Sequence, residues 1–334
     1  MTVARRTAQE ALRPPAPARL RGVAAGRTVV IAALAGLVAS GCANAPGPAA
    51  RPSPADPRRS PAAAAARAGA AAPELPVEAY GLSELQTGQA NYLTLRLLQV
   101  CAARFGVRYP PGLSPSNIAL GVRIQQEIDS RRYGVSDPAA ARVYGYHAPS
   151  WMTGPVKPAK ISLLPPAQQR VLWGGNAHPA ASSHIPAGGC EGQASRELAA
   201  AGIGGPAQQN GAALIEQINV QGFQQAQSDP RVRAVFAKWS ACMRSHGYDY
   251  GTPLQAGGSP AWNLSAPPTR TEIRAAETDV ACKQQADVLG VTFTAESDAE
   301  RALIARQARA LAQARAATEM EAQGIQRLLA EYGT

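Results

Sequence analysis

Cysteine is the residue type with the clearest chemical pattern in this sequence. Four cysteines follow residue 100: Cys101, Cys190, Cys242 and Cys282. The first and third share the pattern C-x4-G-x2-Y at the end of an apolar segment, whereas the second and fourth share C-x2-Q-A. In an exported chain an even number of cysteines indicates disulfides, and four cysteines allow three pairings. The repeat favours pairing the first with the second and the third with the fourth, because each bond then lies within one copy.

A metal site is the alternative use of the second cysteine. The loop HPAASSHIPAGGC brings His178, His184 and Cys190 close together in sequence. Zinc sites draw their ligands from compact clusters, and the six-residue spacing of the two histidines is not a familiar one. We therefore predict no metal and no cofactor, and assign the cysteine to a disulfide.

Motifs of the common enzyme classes are absent from the sequence. It contains no HExxH, no G-x-S-x-G and no phosphate-binding P-loop. Two carboxylates could act in glycan or peptidoglycan hydrolysis, but linear spacing selects no pair among Glu127, Asp129, Glu191 and Glu216. Whether the chain is an enzyme is left uncertain, with a cell-wall hydrolase as one alternative function.

One segment concentrates arginines and aromatic side chains in the way that a recognition surface does. It runs from RRYGVSDP to RVYGYH, and its candidate contact residues are Arg132, Tyr133, Tyr144, Tyr146 and His147. A purely structural interpretation is open as well. Asp137 and Pro138 are typical of a helix start and Gly145 of a helix end, with the tyrosines covering the edge of the core.

The N-terminal region has the features of an export signal. An uncharged apolar run, TVVIAALAGLVAS, follows an arginine-rich segment and precedes Gly41 and Cys42. The run has 13 residues, fewer than the ~20 that a membrane-spanning helix needs, which is typical of a signal peptide. We expect residues 1–41 to be removed and the new N-terminal residue, Cys42, to carry the lipid that anchors the chain to the outer face of the cell membrane. A buried core helix is the alternative interpretation of the run.

Residues 42–78 are predicted to be the lipidated cysteine and a disordered tether. The segment is rich in proline, alanine and arginine and almost free of large apolar side chains, so it cannot bury a core. Extended at ~3.1 Å per residue, such a tether spans up to about 100 Å. It would act as a spacer between the membrane and the folded part.

The positive charge of the chain is weaker in its folded part than the total suggests. Of the net charge of +10, residues 1–41 carry +5 and residues 43–78 carry +1, which leaves +4 for the rest. That part contains no basic run interleaved with aromatic residues and no zinc-finger spacing. We therefore predict no nucleic-acid partner.

The remaining residues, 79–334, predict a mainly α domain with long loops, a long C-terminal helix and two disulfides. Alternation typical of strands is confined to short pieces such as residues 117–124. The cysteine pattern divides the domain into two possible halves, residues 79–205 and 206–334.

Capping residues predict where several helices begin. Asp229 followed by proline starts a helix with an apolar face that includes Trp239. Thr269 with Glu272 and Ser297 with Glu300 form the S/T-x-x-E pattern of a capping box. The last of these helices is expected to continue to Tyr332.

The motifs together resemble those of an uncharacterised group of secreted lipoproteins of high-GC Gram-positive bacteria. The resemblance rests on Ala39-Ser40-Gly41-Cys42, which looks like a lipobox with Ala where Leu is more common, on the tether, and on RRYGVSDPAAARVYGYH, GGCEGQA, FAKWSACMRSHGYDY and TDVACKQQADVLGV. It implies surface anchoring and a helical, cysteine-bearing domain, and it brings no catalytic residues. We expect a lipid-anchored extracytoplasmic module that binds an envelope protein or cell-wall partner, with a solute-binding lipoprotein as a further alternative.

Overall fold

The computed structural model describes residues 74–152, 164–174, 184–262 and 266–333. The predicted signal peptide, the predicted lipidation site Cys42, most of the tether and His178 lie outside the described residues. Among the described residues, no helix combines the length and apolar character that crossing a membrane requires.

The described residues form eleven α-helices and one 3-10 turn, with no β-strand, which confirms the mainly α prediction. The 3-10 turn is Glu78–Tyr80. The helices are α1 Glu84–Ala103, α2 Ser116–Ser130, α3 Pro138–Tyr144, α4 Pro166–Trp173, α5 Gly189–Ala200, α6 Pro206–Ser228, α7 Pro230–Ser245, α8 Pro253–Gly257, α9 Arg270–Ala286, α10 Val288–Arg306 and α11 Ala308–Tyr332.

Side-chain caps start helices where the sequence predicts them. The Asp229 carboxylate accepts a hydrogen bond from the backbone N–H of Arg231 at 2.7 Å and so caps α7. The Thr269 hydroxyl accepts from the backbone N–H of Glu272 at 3.1 Å and caps α9. These bonds satisfy backbone donors that have no partner within the helix.

The segment of strand-like alternation is helical. Residues 117–124 belong to α2. The helix is favoured because Ile118 and Val122, four residues apart, both contact α1. Ile118 and Val122 both lie against Gly88 of α1, where an added Cβ would come within 3.5 and 3.6 Å of their side chains. On a helix, residues four positions apart are about 6 Å from each other and can both reach one neighbour, whereas on a strand they are about 13 Å apart.

The last helix is long, as predicted, but it does not begin at Ser297. That residue and Glu300 are both buried in the middle of α10. The helix is interrupted at Gln307, and α11 begins at the next residue. Glu300 accepts from the backbone of residue 77 instead of capping a helix start. A tertiary contact has therefore overridden the local capping pattern.

Four groups of buried side chains hold the helices together. The largest surrounds Trp239 between α7, α9 and α10, and a second joins α1, α5 and α11. A third packs the end of α1 against α4 and α5, and a fourth brings Val77 between α6, α10 and α11. Because α11 packs against both α1 and α6, the two proposed halves share their core. Leu75 and Val77, assigned to the tether from sequence, are also buried, so the fold includes the last residues of that segment.

The cysteines are paired as the repeat predicts. Cys101 is bonded to Cys190 and Cys242 to Cys282, with Cα–Cα distances of 5.5 and 5.7 Å.

The structural repeat is confined to the end of the first helix in each pair. After α1 the backbone N–H of Val107 bonds to the carbonyl of Ala102, and after α7 that of Tyr248 bonds to Met243. Both turns pass through a glycine with positive φ, as a Schellman motif requires. The second cysteines differ, since one opens α5 and the other lies near the end of α9.

Replacing Cys242 by alanine should free only the thiol of Cys282. The released loop spans 40 residues, and the chain-entropy estimate for its closure is about 4 kcal/mol, so we expect a large fall in the free energy of unfolding. Thiol labelling followed by peptide mass spectrometry checks the pairing. Labelling of Cys101 or Cys190 in this variant would contradict it.

Candidate functional site

The predicted recognition segment packs inward at its C-terminal end. Tyr146 is buried and stacks on Trp262 with ring centroids 5.6 Å apart. The backbone N–H of Tyr146 donates to Glu272 Oε1 at 3.0 Å, and the same oxygen lies 2.7 Å from His147 Nδ1. His147 Nε2 lies 2.7 Å from the carbonyl oxygen of Ala266. The structure therefore places both residues against partners of the chain itself, and Tyr146 is not on an exposed surface.

The N-terminal end of the same segment is also engaged by a buried carboxylate. Arg132 forms an ion pair with Glu296, and its Nη2 donates to Asn219 Oδ1 at 3.0 Å. The Tyr133 hydroxyl donates to Glu296 Oε2 at 2.6 Å. Tyr144, at the end of α3, is half-buried. The five candidate residues therefore do not form one exposed surface, and only Arg132 and Tyr133 reach a cleft.

Four buried carboxylates on α9 and α10 hold these segments in place. They are Glu272, Asp279, Glu296 and Glu300, each at most 1 % exposed. Glu300 Oε2 accepts from the backbone N–H of Val77 at 3.0 Å, a contact across 223 residues of sequence. Gly222 of α6 lies against Glu300, where an added Cβ would come within 2.6 Å of Cγ. Only a residue without a side chain allows α6 to approach so closely.

Asp279 and Lys283 form a fully buried ion pair. Lys283 Nζ donates to Asp279 Oδ2 at 2.9 Å and to the carbonyl oxygen of Val135 at 2.7 Å. Trp239 Nε1 donates to Asp279 Oδ1 at 2.9 Å. Burial lowers the pKa of Lys283 and raises that of Asp279, while their mutual attraction opposes both shifts. The pair ties α7 and α9 to the loop before α3.

A cleft of about 1060 Å³ lies beside the Arg132–Glu296 pair. Its walls come from the 3-10 turn, α1, α2, α6 and α10, so residues distant in sequence meet there. The apolar part of the lining includes Leu82, Leu85, Val122, Ile215, Leu289 and Phe293. A concave surface with apolar walls and several polar groups is the usual form of a small-molecule site.

The cleft is acidic. Five carboxylates line it, and they are Glu74, Glu78, Glu84, Asp129 and Glu216. None of the five forms an ion pair with another described residue. Among the described residues that line the cleft, Arg132 is the only lysine or arginine, and its charge is balanced by Glu296. The cleft therefore carries a negative charge that the described residues leave uncompensated.

Two of these carboxylates hold their protons more tightly than usual. Burial raises the pKa of Glu78, and repulsion from Asp129 and Glu74 raises it further, against a hydrogen bond from the backbone N–H of Leu75. Burial likewise raises the pKa of Asp129, with repulsion from Glu84 adding to the shift. A cation in the cleft would relieve this repulsion.

Among the described lining residues, the hydroxyl that is hydrogen-bonded to a carboxylate is that of Tyr133, and its partner Glu296 is buried and also paired with Arg132. The hydroxyl groups of the lining belong to Ser83, Thr87, Ser130, Tyr133 and Ser136, and the described lining contains no histidine, lysine or cysteine. Of the carboxylates considered from sequence, Asp129 and Glu216 line the cleft, Glu127 pairs with Arg131, and Glu191 is exposed on α5. Sequence spacing gave no sign that the first two face one cleft, because they lie on different helices.

Sulfur ligands for a metal are engaged elsewhere. Cys190, considered from sequence, is bonded to Cys101. In the described part of the chain, ligand atoms of Cys242, His246 and Cys282 lie within 4.8 Å of one another. Both of these sulfur atoms belong to a disulfide and offer no thiolate.

Replacing Lys283 by methionine should strongly destabilise the fold. The substitution leaves the Asp279 carboxylate buried without its counter-charge, which costs about 3–5 kcal/mol. Urea denaturation measures the loss. Arg315→Met is the control, because it breaks an i, i+4 pair with Glu319 that is 63 % exposed on both sides, and such pairs contribute about 0–1 kcal/mol. Equal losses in the two variants would contradict a structural role for the buried pair.

Glu300 should make the fold less stable as the pH rises. Burial, with repulsion from Glu296 and Glu78, raises its pKa from 4.5 to about 7, against the bond from Val77 and the attraction of Arg132. Between these two values the folded state binds more protons than the unfolded state, so the free energy of unfolding falls as pH increases. We expect Glu300→Gln to reduce the loss between pH 5 and 8 by up to about 3 kcal/mol. Urea titrations at each pH measure it. Glu319→Gln, an exposed control, should leave the pH profile unchanged, and an unchanged profile in Glu300→Gln would disprove the assignment.

Comparison with protein-family models, with curated proteins and with solved structures gave no match. Any assignment of function must therefore come from the geometry of the chain's own residues.

Proposed function

We propose that the chain is a lipid-anchored extracytoplasmic binding protein that takes a ligand in the cleft between α1, α2, α6 and α10. The observation that carries the proposal is the cleft itself, a concavity of about 1060 Å³ with apolar walls and five carboxylates that form no ion pair with another described residue. Three of them, Glu78, Glu84 and Asp129, are half-buried, and burying charge costs free energy unless a partner offsets it. A cleft with such carboxylates is suited to binding.

The proposed address rests on the N-terminal sequence and agrees with the disulfides. Residues 28–42 have the composition of a lipoprotein export signal, and Cys42 is the residue that would carry the lipid. Disulfides persist in compartments that are oxidising, and this domain has two. The arginine- and proline-rich segment would then separate the cleft from the membrane and leave it open to the envelope.

Glycan hydrolysis is the second candidate function, because two carboxylates of the cleft have raised pKa values. A glycosidase needs one protonated and one ionised carboxyl group on either side of the scissile bond. Glu78 and Asp129 line the same cleft and repel each other. Release of soluble fragments from peptidoglycan, lost in Asp129→Asn, would favour this function over binding alone.

A photo-cross-linker at position 125 tests the binding function in cells. Gln125 is exposed and lines the cleft, so a benzoylphenylalanine at this position of the intact lipoprotein should form a covalent adduct with one recurrent ligand, whether a protein, a glycan or a small molecule. Mass spectrometry identifies it. Gln313, exposed on α11 and outside the lining, is the matched control and should capture only background. The same background at both positions would contradict a binding role for the cleft.

The same samples test the address. The N-terminal peptide should begin at a lipid-bearing Cys42, and Cys42→Ser should move the protein from the membrane fraction to the medium. An unmodified N-terminal methionine in the mature protein would remove the proposed anchoring, whatever the cleft binds.

A further inference from the structure

We infer that the ligand of the cleft is an aliphatic polyamine, a small molecule with several ammonium groups separated by methylene chains. The inference rests on the proposed binding function and specifies its ligand class. It follows from three properties of the lining: the sign of its charge, the spread of its carboxylates and the apolar surface between them.

The sign of the charge excludes anionic ligands. Glu78, Glu84 and Asp129 are half-buried in the lining. Arg132, the one basic residue among the described lining residues, is paired with Glu296. A phosphate or carboxylate entering the cleft would meet several negative charges without a free cation to bind it. An ammonium group gains an attraction from each carboxylate that increases as water is displaced.

The carboxylates are too dispersed for a single metal ion. Calcium and magnesium need several oxygen ligands that converge on one point. In the described part of the chain, one set of three or more potential ligand groups converges within 4.8 Å, and it is the Cys242, His246 and Cys282 set. The acidic residues of the cleft lie before and on the 3-10 turn and on α1, α2 and α6, around a space much larger than an ion. Several charges on an extended ligand fit this arrangement.

The surface between the carboxylates suits methylene chains and N–H donors. Leu85, Val122 and Ile215 give apolar contact, which contributes about 0.8 kcal/mol for each buried methylene group. An ammonium group has three donors and no acceptor, and the lining supplies amide oxygens as well as carboxylates. The amides belong to Gln86, Asn91, Gln125, Gln126 and Asn219. Gln86 Oε1 already accepts from Ser83 and Asn219 Oδ1 from Arg132, so the oxygens of the other three are the better acceptors for a ligand.

Calorimetric titration of the mature domain with spermidine tests the inference. We expect saturable binding in buffer of low ionic strength, and no saturable heat from suberate or 1,8-octanediol, which have chains of similar length but negative or no charge. Asp129→Asn combined with Glu216→Gln removes one charge from each of two walls and should weaken spermidine binding at least about tenfold. Thermal denaturation of each variant confirms that it is folded.

A charge-matched variant separates the cleft from the overall charge of the protein. Glu191→Gln combined with Glu319→Gln makes the same change in net charge at two exposed residues outside the lining, and its affinity should stay within about twofold of the parent. Equal weakening in both double variants would overturn a specific site. If spermidine shows no saturable binding but suberate or octanediol does, the polyamine assignment fails and the binding function stands. If none of the three probes binds and position 125 captures only background, the binding function fails as well.

Discussion

The position of the N-terminal part of this domain depends on four carboxylates buried in α9 and α10. A buried charge is costly, by several kcal/mol, unless ion pairs and hydrogen bonds satisfy it. Three of the carboxylates bind distant parts of the sequence directly: Glu300 binds the backbone at Val77, Glu296 binds Arg132 and Tyr133, and Glu272 binds residues 146 and 147. Asp279 acts through Lys283, four residues on, whose Nζ also donates to the carbonyl oxygen of Val135. Apolar packing permits many similar arrangements of helices. The carboxylates select one of them, because an arrangement that leaves any of them without a partner is much less stable.

The cleft derives both its position and its charge from these contacts. Arg132 and Tyr133 line the cleft, and both are held by Glu296, while the 3-10 turn that forms another part of the wall follows the contact between Val77 and Glu300. The same ion pair that fixes Arg132 also neutralises it. The negative charge of the cleft is thus a consequence of how the domain is held together. From sequence Arg132 would favour anionic ligands, but because it is paired with Glu296 the unpaired carboxylates determine the charge of the cleft.

Local patterns in the sequence predicted what depends on neighbouring residues, and they failed where a distant partner decides. The caps at Asp229 and Thr269 form as expected, because both partners lie within three residues. The disulfide pairing follows from the repeated cysteine pattern. Ser297 and Glu300 have the spacing of a capping box, but burial against Val77 places them inside a helix. The recognition segment was predicted to face an external partner, whereas Tyr133 and Tyr146 bond to carboxylates on α9 and α10 that lie more than 100 residues away. The cleft itself had no local signature, since its carboxylates come from four separate elements.

The contact between Val77 and Glu300 also determines how the domain would respond to mechanical force. Among the described residues, which begin at Glu74, the first side chains to enter the core are those of Leu75 and Val77. Tension applied at Glu74 is therefore borne first by one hydrogen bond and two apolar side chains, before any described helix is loaded. Glu74, Leu75 and Glu78 belong to the wall of the cleft. Stretching the chain at this end would change the shape of the cleft first, and a molecule bound there would oppose the stretching.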